Sequence, residues 1–438
     1  MGSNMCKENN YTSLGTALIW AIGAVLAGVS GSVAASGFAL IEQNASGLGN
    51  AYAGGAAVAE DASTIFFNPA GMSRLSGKQI VVAAHAIQPS AKFIDSASIP
   101  PSPVALHPTS SAPGDAGSWQ AVPNGYFTME INPQMRFGLG VNAPFGMRTE
   151  YPAGWVGRFQ ALESSVRTIN VNPSLSYRVN ENFSIGAGLN YQHITAYLSN
   201  ALNLGTTEGM TAVSGNDSAW GYNLGGLYEI SSSTRIGVAY RSSLKYKLNG
   251  TALITDAAGG ALPTYPTGVT ANIKTPDTLS VSFFSKLDSH WDVMADISRT
   301  SWNKFSELRV VKNTGALLGV APENWSNTWR AAVGGNYHFN EHWTVRGGVA
   351  YDQSPISDAF RTARIPGNDR TWLSVGGQYK PGKDTAFDFG YAHLFLDNAS
   401  INNNTGAAGT PSTATVGNLV GAYNSSVNIL SVQYTHSF

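Results

Sequence analysis

Only 12% of the 438 residues are charged, with 26 Lys and Arg against 27 Asp and Glu, while Gly reaches 48. The near-neutral balance excludes a broad electrostatic surface for nucleic acid, and one cysteine, Cys6, excludes a disulfide framework or a Cys-ligated metal site. Few charges, abundant Gly and aromatics, and no long apolar run after the first 35 residues suit an outer-membrane β-barrel, with a large soluble β protein as the competing class.

The chain begins with a leader. Lys7 precedes an apolar stretch from Leu14 to Val29, and Val33-Ala34-Ala35 supplies the small residues a signal peptidase needs, so residues 1–35 read as a signal peptide cut after Ala35. The apolar stretch is short for a bilayer span. No cysteine stands at the cleavage site for a lipid anchor, and cleavage removes Cys6.

Residues 36–77 follow, crowded with Gly, Ala and Ser and without a period of 2 or 3.6. Small residues let backbone pass close to backbone, which suits a compact plug, or hatch, inside a larger container. Glu60 and Asp61 are expected to anchor it to inward arginines such as Arg235, Arg241 or Arg346.

Residues 78–438 read as the container. In Ser184–Tyr191 the apolar Ile185, Ala187, Leu189 and Tyr191 alternate with Ser184, Gly186, Gly188 and Asn190, the pattern of a barrel strand facing lipid outward. Six short turn-forming breaks, such as Asn132-Pro133 and Pro381-Gly382-Lys383, alternate with seven long ones, including 201–216, 250–269 and 313–324. That alternation predicts an all-β fold: a 14-stranded antiparallel transmembrane barrel with both termini on the short-turn, periplasmic side. The last strand places Leu430, Val432, Tyr434 and Phe438 on one face, and a terminal aromatic is the feature outer-membrane assembly machinery reads.

Several segments resemble the FadL family of outer-membrane transporters for hydrophobic compounds, which includes long-chain fatty acid transporters and monoaromatic-hydrocarbon importers. The resemblance runs from Ser46-Gly47-Leu48-Gly49-Asn50 and Asn68-Pro69-Ala70 through Pro144-Phe145-Gly146 and Trp155-Val156-Gly157-Arg158 to Thr328-Trp329-Arg330 and Arg364-Ile365-Pro366-Gly367-Asn368-Asp369-Arg370. It implies a monomeric fourteen-stranded barrel with an N-terminal hatch, embedded in outer-membrane lipid and lipopolysaccharide. Its implied task is passive uptake of a hydrophobic small molecule, captured at outer loops and released sideways.

Pro144 lies inside the third predicted strand, where proline cannot donate to the ladder. Read plainly, the strand ends there. The resemblance instead implies an inward kink and lateral opening at Asn142, Ala143, Pro144, Phe145 and Gly146, with Asn68, Pro69 and Ala70 as a hatch turn near it. Ligand-binding candidates are Arg158, Tyr197, Leu202, Leu204, Trp220 and Phe360. The regions where fatty-acid members carry cations, 194–200 and 315–323, contain no Lys or Arg. Either another cation serves, with Arg158, Lys312 and Arg361 as candidates, or the ligand is a neutral monoaromatic hydrocarbon. An outer-membrane hydrolase and a water-filled porin are the remaining alternatives. The first lacks a nucleophile elbow and the second has no use for a hatch, and neither cofactor, metal nor catalytic residues are expected.

Overall fold

The computed structural model describes residues 37–102 and 114–438, so the leader and its cleavage site lie outside the described residues. Twenty strand segments form one closed sheet. Six pairs of successive segments continue one another, so the barrel has the fourteen predicted staves. They are β1 (Lys78–Asp95), β2 (Gln120–Asn132), β3 (Met135–Asn142 and Gly146–Glu150), β4 (Glu163–Arg178), β5 (Phe183–Asn203), β6 (Glu208–Glu229) and β7 (Thr234–Arg241 and Lys245–Thr255). The second half comprises β8 (Thr267–Lys274 and Thr278–Lys286), β9 (Trp291–Thr300 and Glu307–Lys312), β10 (Leu317–Pro322 and Thr328–His338), β11 (Trp343–Asp352), β12 (Arg370–Tyr379), β13 (Thr385–Leu396 and Ala399–Asn403) and β14 (Leu419–Ser437). All neighbours are antiparallel, and β1 closes on β14 from Gln79↔Ser437 to Asp95↔Gly421. Closure pairs the first strand with the last, so neither is left as a free sheet edge in lipid.

The side-chain period sets the two faces. On β5, Ile185, Leu189 and Tyr191 are exposed while Gly186, Gly188, Asn190 and Gln192 point inward. On β14, Leu430, Val432 and Tyr434 face out and Ser431, Gln433 and Thr435 face in. Two of the expected long breaks contract to four residues each, and 250–269 shrinks to 256–266. β5 and β6 pair as far as Asn203↔Glu208, leaving only residues 204–207, and the outer halves of β9 and β10 turn at 313–316. Polar residues do not end a strand once it has left lipid, because the ladder satisfies its backbone equally well in water.

Among the described residues six staves are interrupted: β3 at 143–145, β7 at 242–244, β8 at 275–277, β9 at 301–306, β10 at 323–327 and β13 at 397–398. Pro144 and Pro276 lack the donor a continuous ladder requires, and Asn324 adopts φ 44°. The bends on β7–β10 lie side by side: Thr275 N donates to Leu244 O at 3.0 Å, Ser301 N to Asp277 O at 2.9 Å and Trp325 N to Phe305 O at 3.4 Å. Together they turn Leu244, Trp302, Phe305 and Trp325 into the lumen, where they meet Phe145 and Phe38 in one buried cluster.

The segment 37–77 occupies the lumen as four short helical turns. Leu48–Asn50 packs on β10–β13, Gly55–Val58 on β6–β9, and Pro69–Arg74 on β3–β6. Close approach requires glycine on the wall: a Cβ at Gly225 would overlap Asn68 Oδ1, and one at its register partner Gly186 would overlap Ala70 N. The expected acid–arginine anchoring is found for Glu60 and not for Asp61. Glu60 meets Arg346 at 3.0 Å, but Asp61 accepts from Ser46 at 2.7 Å, Ser63 at 2.5 Å and Gln433 at 2.9 Å. Arg235 and Arg241 donate to backbone carbonyls instead, at Val58 (2.5 Å) and Phe66 (2.8 Å). Turns this short leave carbonyls without helical partners, and the wall arginines supply them.

Candidate functional site

The outer half of the lumen holds a cavity of about 820 Å³ including its mouth. Its walls are aliphatic, from Met147 on β3 through Ile194 and Leu198 on β5 and Leu248 on β7 to Ile273 on β8, with Phe38 and Phe305 at one end. Among the described residues two ionisable side chains line it, Glu323 and Arg364. Both lie on the outer side of Trp329 and Tyr351, aromatics exposed on the barrel exterior. Arg364 Nη1 donates to Ser164 Oγ at 3.0 Å and to the Ser199 carbonyl at 3.2 Å, and its Nη2 to Asn200 Oδ1 at 3.3 Å. Among the described residues its hydrogen-bond partners are all uncharged. Burial brings its guanidinium down to about 10. Burial also pushes the Glu323 carboxyl up to about 8, against the hydrogen bond it accepts from Trp325 Nε1 at 2.9 Å. Burial thus favours the protonated form of Glu323 and leaves Arg364 as the cation there.

The aromatic cluster floors this cavity. The Phe38 ring lies 4.9 Å from Trp302, 5.7 Å from Phe145, and 5.8 Å from both Phe305 and Trp325. Beyond it a second cavity of about 1060 Å³ runs between the lumen segment and the wall, reaching Leu40, Pro69, Pro144 and Phe145.

The strand ladder is interrupted at β3. The β2–β3 ladder stops at Gly125↔Val141, and Gly146–Glu150 pairs with β4 alone. Four residue steps on β3, from Asn142 to Gly146, oppose three on β4, from Asn170 to Arg167, so one surplus residue lifts β3 off its neighbour. The break closes again where Glu150 N donates to Ala116 O at 3.1 Å. Residues 38–43 fill the space. Leu40 N donates to Pro144 O at 2.8 Å and Gly146 N to Phe38 O at 2.9 Å. Gln43 Nε2 reaches Ala143 O at 3.1 Å, and Asn124 on β2 donates to Glu42 O at 2.9 Å.

The sequence-stated candidates divide accordingly. Asn142, Ala143, Pro144, Phe145 and Gly146 lie at the break. The Asn68-Pro69-Ala70 turn is tied to β6, Asn68 donating to Gly226 O at 3.0 Å, rather than to the β3 kink, which residues 38–43 touch instead. Arg158 is buried away from the cavity and paired with Glu208 at 2.6 Å. Trp220 is 68% exposed on the lipid face against Tyr191, its register partner. Tyr197 shares that outward parity, while its neighbours Ala196 and Leu198 line the cavity. Leu202 and Leu204 sit at the tip of the β5–β6 hairpin, and Phe360 belongs to a short turn over β13; none of the three lines the cavity. Arg361 is held by Asp358 and by Ser400 O at 2.7 Å, and Lys312 stands 4.9 Å over the Tyr265 ring. Arg364 was missed because nothing local to Arg-Ile-Pro says that the loop folds over a cavity on the opposite wall. Phe38 had a signal, as a large aromatic at the third position of the expected mature chain.

A closed outer-membrane barrel with an apolar cavity, a filled lumen and a break in its wall is a channel for hydrophobic compounds, not a water-filled pore and not an enzyme. Residues 26–438 match the model of the outer membrane protein transport protein family (OMPP1/FadL/TodX), and the chain belongs to that family. It is 29% identical over 421 residues to the long-chain fatty acid transport protein of Escherichia coli K12, covering 87% of this chain and 93% of that one. Among solved structures, a Pseudomonas aeruginosa FadL homologue superposes with a TM-score of 0.83 at 26% identity, over 92% of this chain and 100% of that one. The Ralstonia pickettii toluene transporter TbuX shares the fold at a TM-score of 0.65 and 18% identity, over 89% of this chain and 99% of that one.

Proposed function

We propose that this channel takes up long-chain fatty acids, with the acyl tail in the aliphatic outer cavity and the carboxylate at Arg364. The observation that carries this reading is the pairing of an aliphatic cavity with one charged guanidinium at its polar end, beside a carboxyl whose protonated form burial favours. A carboxylate there gains charge-assisted hydrogen bonds of about 1.5–3 kcal/mol, while each buried CH₂ contributes about 0.8 kcal/mol. Protonated Glu323 adds a donor without repelling the anion. The fatty acid relatives support the same reading.

Onward passage follows the break in the wall. Residues 38–43 hold β3 by backbone hydrogen bonds, so their withdrawal frees both the constriction and the space between β2 and β3. The solute then leaves into the membrane plane and never crosses water. Movement of the lumen segment couples arrival of the ligand to that opening.

Uptake of labelled oleate and labelled toluene, compared in cells that lack their own importer and express this chain, tests the reading. Oleate uptake that falls in Arg364→Gln supports it. Toluene uptake without oleate uptake would transfer the outer cavity to the monoaromatic alternative.

A further inference from the structure

The lower cavity carries a charged side chain that the lumen does not fully engage. One in-register row of inward residues crosses its wall: Ser280 on β8, Ser298 on β9, Arg330 on β10, Asp352 on β11 and Arg370 on β12. Asp352 and Arg370 serve each other, with Arg370 Nε and Nη2 both donating to Asp352 Oδ2, at 3.0 and 2.5 Å. Asp296 accepts from Ser282 at 2.5 Å, and Arg241 donates to Phe66 O and Asn190.

Arg330 differs. It is 6% exposed, its Nη2 donates to Ala51 O at 2.5 Å, and its guanidinium lies 5.4 Å from the Trp372 ring. Its Nε and Nη1 are buried and have no hydrogen-bond partner among the described residues. A buried donor left unmade is costly, more so on a charged group, and such a site persists where something else completes it. The same cavity reaches Leu40, Pro144 and Phe145 at the break in the wall.

We propose that Arg330 is a second head-group station, where Nε and Nη1 hold the carboxylate of a single-chain amphiphile while its tail lies against Leu40, Pro144 and Phe145 at the opening. This rests on the reading that the substrate is a fatty acid. An acid leaving Arg364 must pass the aromatic constriction, where its carboxylate finds no donor of comparable strength. A cation on the far side lowers that barrier and orients the molecule tail-first toward lipid. Arg330 belongs to β10, whereas Arg364 belongs to the β11–β12 loop, so the two stations can be removed separately.

The test is uptake of labelled oleate and labelled methyl oleate by wild type, Arg330→Gln, Arg330→Lys and Arg364→Gln. Arg330→Gln is expected to lower the oleate-to-ester ratio about tenfold, and Arg330→Lys to restore at least half of it. Equal losses on acid and ester, leaving the ratio unchanged, would make Arg330 a brace for the lumen segment and overturn the station. A ratio that falls in Arg364→Gln but not in Arg330→Gln removes the station and leaves the outer site standing; the converse removes the outer site alone. A second measurement needs no change at Arg330. In the purified protein, 2-bromohexadecanoate should quench the share of tryptophan emission that Trp372→Phe removes. Quenching confined to the remaining tryptophans would overturn the station.

Discussion

The two cavities of this barrel use the same strand alternation for different ends. In the outer one, inward positions carry Ile194, Leu198, Leu248 and Ile273, and among the described residues the ionisable groups are Arg364 and Glu323 at the polar end. In the inner one, the corresponding positions carry Ser280, Ser298, Arg330, Asp352 and Arg370, faced by the apolar Leu40, Phe66 and Phe67 of the lumen segment. What separates them is a ring of bends around Phe38. Under the proposed function, the aliphatic cavity holds the ligand and the polar one passes it on. A site that holds a tail in an aliphatic box would trap it, unless a polar wall and an opening lie just beyond a removable barrier.

The largest effect is expected from closing the proposed exit at β3. Deleting Pro144 removes the surplus residue of β3, restores the register between Asn142↔Asn170 and Gly146↔Arg167, and lets β3 pair with β2. Oleate uptake is expected to fall by about two orders of magnitude while the barrel still assembles; uptake at the wild-type rate in an assembled barrel would place the exit elsewhere. Next in size, Arg364→Gln should weaken oleate binding by about 10- to 100-fold, the equivalent of 1.5–3 kcal/mol, read by displacement of a fluorescent fatty acid.

Phe38→Ala joins the two cavities by removing the ring that meets Phe145, Trp302, Phe305 and Trp325. Aromatic pairs contribute about 0.5–1.5 kcal/mol each, so the barrier drops and toluene entry should rise severalfold.

A smaller effect concerns pH. Glu323 has its carboxyl raised to about 8 by burial, so the folded protein favours its protonated form. Its contribution to stability is full below the ordinary carboxylate range and is lost as pH rises through about 8. Over the same interval the ionised carboxylate comes to oppose the ligand's, so oleate binding should weaken severalfold between pH 7 and pH 9, and Glu323→Gln should flatten that profile. Smallest of all, Trp220→Ala removes an outward ring and should cost under about 1 kcal/mol, with oleate uptake within twofold of wild type.

The sequence by itself determined the container. Alternation of Ile185, Leu189 and Tyr191 with glycine and polar residues, and the spacing of the turns, specify fourteen staves because side-chain period and turn chemistry are local properties of the chain. Pro144 was legible for the same reason, since a missing donor is written in the residue type. Tertiary structure decided the rest. Trp220 reads as a cavity aromatic by residue type, but its pairing with the outward Tyr191 places it on the lipid face, and Tyr197 shares the parity of Tyr191 that the alternation already showed. Arg158 read as a head-group cation until Glu208, fifty positions along the chain, took it. Arg364, Glu323 and Phe38 meet only because loops from opposite sides and the chain's own beginning fold into one lumen. Such convergence is set by how a sheet closes on itself, and no local pattern carries it.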